Sequence, residues 1–175
     1  MKDVTWIVSD VDGTLTDGCL DYGSDGVERK RFHAADGLGI VMAQASGLRV
    51  AVISGRTSAV VQRRMAELRV SRVYEGIGDK AHVLSGMMAE LDLRPEQVAY
   101  IGDDVNDLPA FSVAGVRFAV SDASQVLKDA ADYVTGRRGG QGAVREAIDR
   151  ILLAQGRLDA AVESYLAASR IGPQQ

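Results

Sequence analysis

The chain has 175 residues, 46% hydrophobic and 25% charged, the balance of one soluble globular domain with a packed core rather than of a disordered or fibrous chain. A net charge of -4 argues against general nucleic-acid binding, and the single cysteine, Cys19, permits no internal disulfide. No apolar segment reaches the ~20 residues that span a bilayer, and the early Asp3 leaves no apolar secretory region, so a cytoplasmic location is expected.

The first element is the β-branched run Val4-Thr5-Trp6-Ile7-Val8, which reads as a buried strand. It delivers Asp10-Val11-Asp12-Gly13-Thr14-Leu15-Thr16, setting two carboxylates at the strand's carboxyl end, where open α/β sheets bind ligands. Like charges two residues apart repel unless a cation is present, and an all-oxygen site suits Mg²⁺. Read alone, the seven residues could equally be an Asp-Gly turn capped by a second acid. Residues 18 to 33 form short alternating pieces around Gly23-Ser24-Asp25-Gly26, a β-hairpin projecting after the acidic pair. A hairpin alone is marginal in water, so its apolar positions should pack on the protein body or another subunit.

A helix is expected from Asp36 to Gly47, then a buried strand from Arg49 to Ile53 ending in Ser54-Gly55-Arg56. Thr57 or Ser58 can cap the next helix, through about Leu68, and a short strand surrounds Val73-Tyr74. Lys80 opens an amphipathic helix to about Leu91, Pro95-Glu96 suits a turn or first helical position, and the strand Val98-Ala99-Tyr100-Ile101 delivers Gly102-Asp103-Asp104-Val105-Asn106-Asp107. A helix, a strand from Val116 to Val120, a helix from Ser124 to Ala130 and the strand Tyr133-Val134-Thr135 complete a doubly wound parallel α/β sheet. Gly136 to Gly142 reads as a mobile basic loop. The remainder is one long or two short helices interrupted at Gly156, with Gly172 to Gln175 frayed. The pairs Arg63-Arg64 and Arg137-Arg138 could each hold a small anion.

Four strand ends thus carry reactive groups: Asp10 and Asp12, Ser54, Lys80, and Asp103 with Asp104 and Asp107. A carboxylate nucleophile divides phosphoester hydrolysis into two steps, and phosphoryl transfer otherwise needs alignment and neutralised oxygen charge. Asp10 fits the nucleophile. Asp12 fits an acid that protonates the departing alcohol and then a base for water. Ser54 suits a phosphate oxygen, Lys80 a positive point charge, and Asp104 or Asp107 a residue orienting that lysine or the water around a metal. Plainer roles compete: Ser54 as a helix cap, Lys80 as a surface lysine, and Asp104 and Asp107 as first-turn acids.

In this order the motifs Asp10-Val11-Asp12-Gly13-Thr14, Ser54-Gly55-Arg56, Lys80 and Gly102-Asp103-Asp104 through Asp107 resemble the haloacid dehalogenase phosphatase superfamily over essentially the whole chain. The resemblance implies Mg²⁺ held by Asp10, the Asp12 backbone carbonyl and Asp103. With only the hairpin between the first two motifs and one helix and a strand between Lys80 and Gly102, the domain, residues 1 to 175, reads as capless. Further pieces, Asp17-Gly18, Phe32-His33 with Asp36-Gly37, and Gly139-Gly140 with Gly142-Ala143-Val144-Arg145-Glu146, are similar to the subfamily acting on 3-deoxy-D-manno-octulosonate 8-phosphate. That resemblance implies a homotetramer with hairpins in a central barrel. It also implies substrate contacts from Phe32, His33, Ala34, Ala35, Asp36, Gly37, Arg56, Arg64 and Lys80, with Arg145 near a neighbouring subunit's site. Neither His33 nor His82 is given a catalytic role.

Ala35 and Val41 stand where that subfamily often has basic residues. A lost charge-assisted partner for a substrate carboxylate would cost about 1 to 3 kcal/mol, so a nine-carbon 2-keto sugar acid phosphate is the alternative substrate. A receiver-type signalling domain also gathers acids, a hydroxyl and a lysine, but places its acidic pair and phospho-acceptor on different strands. The complete reactive set argues against an inactive scaffold.

Overall fold

The computed structural model describes residues 1–24 and 26–171. Strand β1 (Trp6–Ser9) is buried along its whole length, because an apolar run in a parallel sheet has both faces covered. The strands β4 (Arg49–Ile53), β5 (Arg72–Tyr74), β6 (Val98–Gly102), β7 (Val116–Ala119) and β8 (Tyr133–Val134) join it in the order β5-β4-β1-β6-β7-β8, every pair parallel. The chain runs outward from β1 to β4 and β5, then returns to β6 and runs outward on the other side. Strand order therefore reverses beside β1, and the carboxyl ends of β1, β4 and β6 share one edge crevice.

The crossovers are helical, as the alternation predicts: α1 (Ala34–Ala45), α2 (Ala59–Glu67), α3 (Lys80–Glu90), α4 (Leu108–Phe111) and α5 (Gln125–Ala130). Two boundaries are settled by caps. The His33 ring nitrogen accepts from the Ala35 N–H, starting α1 two residues before the expected Asp36, and Ser58 rather than Thr57 caps α2 by accepting from Val61 N–H. The carboxyl end is two helices, α6 (Ala143–Ala154) and α7 (Leu158–Ile171), broken at Gly156 with φ +66°. Helix α1 packs against both. The expected frayed end, Gly172 to Gln175, lies outside the described residues.

Between β1 and α1 lie β2 (Asp21–Tyr22) and β3 (Glu28–Arg29), an antiparallel pair of two residues each, with a Thr16 to Phe32 bridge at its base. Asp25 of its turn is outside the described residues. The paired hairpin is shorter than 18 to 33 suggests, and its Leu20, Tyr22 and Val27 are exposed. The 136 to 142 loop is a correction: it is tied down, not loose. Gly136 and Arg137 N–H groups donate to Glu146, Gly139 N–H donates to Asp122, and Gly140 N–H donates to the Thr14 carbonyl at 2.9 Å. A side chain on Gly139 would strike the Gly13 carbonyl, so the glycine is what lets this loop lie on the first acidic motif. Among the described residues no helix is long and apolar enough to cross a membrane.

Candidate active site

Asp10 follows the last residue of β1 and is 3% exposed, its N–H bonded to the Ile101 carbonyl at 2.9 Å, so the sheet itself fixes where its carboxylate stands. Gly13 then turns the chain with φ +92°, and the Asp103 carboxylate lies where its side chain would be. Only glycine meets both demands. Thr14 donates its hydroxyl to Asp103 at 3.1 Å, tying the β1 loop to the end of β6. One carboxylate oxygen from each of Asp10, Asp103 and Asp107 falls within 4.8 Å of the others.

Lys80 stands at the first turn of α3, beside its Asp79 cap, and is 2% exposed. It is no surface lysine. Its ammonium lies 2.9 Å from Asp10 and 2.6 Å from Asp107. Asp107 is the hub behind it, accepting also from the Tyr100 hydroxyl at 2.8 Å and from the Asp103 N–H at 2.9 Å. Burial, then the neighbouring charge of Asp107, pushes Asp10 up to about 6 despite Lys80. Burial together with Asp10 and Asp107 pushes Asp103 up to about 8. Burial alone would lower Lys80, but the two acids outweigh it and hold the ammonium above its usual value. Tyr100 is pushed well above the usual phenol range, chiefly by burial, and stays a donor.

These shifts describe a pocket short of positive charge. Asp107 is satisfied by Lys80, Tyr100 and backbone, so the oxygens left for a divalent ion are those of Asp10 and Asp103. A hard, all-carboxylate set fits Mg²⁺.

Ser54 directly follows β4 and is 1% exposed, with its hydroxyl accepting from the Arg56 N–H at 3.2 Å. It does not cap α2. Asp12 is not among the three clustered acids: Lys30 of the hairpin pairs with its Oδ1, while its Oδ2 is buried without a partner among the described residues. Arg56 is exposed and donates to the Tyr22 hydroxyl at 2.7 Å. Asp104 is exposed and accepts from the Val105 N–H, an end cap for the turn Val105–Asp107.

The expected substrate segment splits. The His33 ring is committed to capping α1, and Ala34 and Ala35 are its first residues. Asp36 is buried, and its carboxylate accepts from the Gly142 and Arg145 N–H groups at 3.1 and 2.8 Å. It caps α6 from another element, and is not one of the clustered acids. Arg64 lies against Gly37 and pairs with Glu67, as Arg63 does; Arg138 pairs with Asp122, and Arg145 with Asp149. The two arginine pairs expected to hold anions thus have carboxylate partners at three of their four members, the fourth, Arg137, lying against Gly142. Val41 lines a groove with Gln44, Leu68 and Tyr165, away from the acids.

Two site residues escape sequence reading. Tyr100 sits in an apolar strand and passes for core. Lys30 is one of four consecutive charges, and only its place two residues from Phe32, which packs on the core, marks it as inward-facing.

Residues 72–148 match the haloacid dehalogenase-like hydrolase model. The chain is 44% identical over 157 residues to 3-deoxy-D-manno-octulosonate 8-phosphate phosphatase KdsC of Haemophilus influenzae, covering 90% of this chain and 87% of that one. For the Escherichia coli K12 protein of the same name the identity is 43% over 160 residues, 91% and 85% of the two chains. Among solved structures, the Moraxella catarrhalis 3-deoxy-D-manno-octulosonate 8-phosphate phosphatase, in complex with magnesium, phosphate and KDO, superposes with TM-score 0.90 at 40% identity over 94% of both chains. A probable YrbI family phosphatase of Pseudomonas syringae gives TM-score 0.91 at 46% identity, again over 94% of both.

Proposed function

The chain belongs to the haloacid dehalogenase-like hydrolase family, and on that premise we propose that it is a Mg²⁺-dependent phosphomonoesterase acting on a phosphorylated sugar acid, 3-deoxy-D-manno-octulosonate 8-phosphate. The observation that carries the reading is a buried carboxylate, Asp10, 2.9 Å from a buried ammonium, Lys80, at the sheet edge where strand order reverses.

Asp10 is the nucleophile: its oxygen bonds to phosphorus as the sugar oxygen leaves, giving an aspartyl phosphate. Burial and Lys80 hold it in place, and the low-dielectric crevice strengthens every charge that faces the phosphate. Asp12 gives a proton to the departing alcohol and later takes one from the attacking water. Ser54 donates to a phosphate oxygen, and Lys80, oriented by Asp107 and Tyr100, neutralises another. Asp10, Asp103 and the Asp12 backbone carbonyl would hold Mg²⁺, which when bound offsets repulsion between the nucleophile and the phosphate. Arg56, Arg64, Ala34 and Ala35 face the sugar acid, while Asp36 is taken up by the start of α6 and Arg145 approaches a neighbouring subunit's site.

The exposed Leu20, Tyr22 and Val27 support assembly through the hairpins, which we take to build a homotetramer with sites walled by adjacent subunits. Ala35 keeps the nine-carbon reading in view. The test is phosphate release with Mg²⁺ from eight- and nine-carbon 2-keto sugar acid phosphates beside simple sugar phosphates. Highest kcat/KM on the eight-carbon acid is expected; preference for the nine-carbon acid would move the substrate, and no release from any ester would end the phosphatase reading.

A further inference from the structure

Asp12 has two oxygens in different situations. Oδ1 is held by the Lys30 ammonium, whereas Oδ2 is buried and has no hydrogen-bond partner among the described residues. The Lys30 side chain is 1% exposed, although lysine side chains are rarely buried without a reason. Its second partner is Glu28 of β3, at 3.5 Å. Glu28 in turn accepts from the Ser58 hydroxyl at 2.6 Å, a bond that holds its carboxyl below the usual range. Ser58 is the cap of α2, and its N–H donates to Glu75 at 2.9 Å. An unbroken chain of polar contacts thus runs from Asp12 through Lys30 and Glu28 to the start of α2. On the solvent side the Arg56 guanidinium donates to the Tyr22 hydroxyl of β2. The hairpin is fastened to the same subunit's catalytic loop by charge, not only by apolar packing.

We propose that Lys30 is a positioning residue that fixes Asp12 by one oxygen and so dedicates the other, Oδ2, to proton transfer. The inference rests on the phosphatase reading above. In the first step the Asp10 oxygen bonds to phosphorus, the phosphorus to sugar-oxygen bond breaks, and the proton on Asp12 Oδ2 passes to that leaving oxygen. In the second, water bonds to phosphorus, the bond to Asp10 breaks, and the water's proton returns to Oδ2. The Lys30 ammonium lies between Asp12 and Glu28, so it orients the Asp12 carboxyl through one oxygen while dividing its contacts between two partners.

A lysine that merely shapes the fold would affect all substrates alike; one that aims a general acid matters most when the leaving group needs a proton. The experiment compares kcat/KM on the sugar acid phosphate with kcat/KM on para-nitrophenyl phosphate, whose leaving group departs as a stable anion. Both are measured with Mg²⁺ in the intact wild-type protein and in Lys30→Met, Lys30→Gln and Lys30→Arg. Met and Gln are run in parallel so that a folding failure in one leaves the ratio readable in the other. We expect the sugar ester to lose between about tenfold and a hundredfold in Met and Gln and the aryl ester less than about threefold, with Arg restoring the wild-type ratio. Equal loss on both esters, no loss on either, or an Arg variant as altered as Met overturns the proposal while leaving the phosphatase reading intact. Wild-type protein inert toward both esters overturns the two together.

Discussion

Asp10 is costly to keep charged where it stands, and that cost is the mark of its use: buried beside Asp107, it is pushed up to about 6 and is held in place by one ammonium. Asp10→Asn should therefore remove turnover, by a factor on the order of 10⁴ or more, while the metal-free protein melts no earlier than wild type because a buried repulsion is gone. Phosphate release and a thermal melt on the same sample check both halves. Lys80→Met should do the reverse to stability. It strands two carboxylates without their buried cation, at about 3 to 5 kcal/mol, read as the shift in a urea unfolding curve. Tyr100→Phe removes one bond to a charged acceptor, about 1.5 to 3 kcal/mol, read from the same urea unfolding curves. The meeting of Asp10, Lys80 and Asp103 was legible in the sequence because each follows a strand or opens a helix at one sheet edge. Tyr100 was not, since a buried donor inside an apolar strand has no periodic signature.

The elements were legible almost throughout, because apolar runs alternate with capped helices, and the residual errors fall on ends where a cap decides. His33 capping α1 is one such case. Asp36 is the instructive one: the subfamily resemblance makes it a substrate contact, yet its carboxylate serves Gly142 and Arg145, more than a hundred residues on. Nothing local announces a cap supplied from another helix. Asp36→Ala should leave those two N–H groups unsatisfied and lower the unfolding free energy by about 1 to 3 kcal/mol, as measured in urea, with KM for the sugar acid changing less than twofold; a rise in KM with stability unchanged would return Asp36 to the substrate. The glycine-rich loop failed to read correctly for a related reason, since composition suggests freedom where close approach to Gly13 is what the glycines provide.

At the scale of the molecule, strand order gathers three acids into one crevice and leaves the fold to tolerate them, which makes stability and metal binding respond to pH in opposite senses. Asp103 moves from 3.8 in an open chain to about 8 in the folded one, and Asp10 from 3.8 to about 6, both chiefly through burial. In that window the folded, metal-free protein binds more protons than the unfolded chain, so its stability is greatest at the acid end and is lost as pH rises through the folded values. The surface acids held low by arginine partners, Glu67, Glu90, Glu96 and Asp132, are ionised in both states by pH of about 5 and do not compete there. Lys80, raised, keeps its proton throughout. A divalent cation needs the carboxylates that those protons occupy, so Mg²⁺ affinity should climb across the same range and level off above about 8, with protons released on binding. Urea unfolding of chelator-treated protein at several pH values, beside calorimetric Mg²⁺ titrations in buffers of different ionisation enthalpy, reads both trends. A metal-free protein that grows more stable toward pH 8, or a Mg²⁺ affinity flat from pH 6 to 8, would mean that the acids at the ends of β1 and β6 do not share one desolvated pocket.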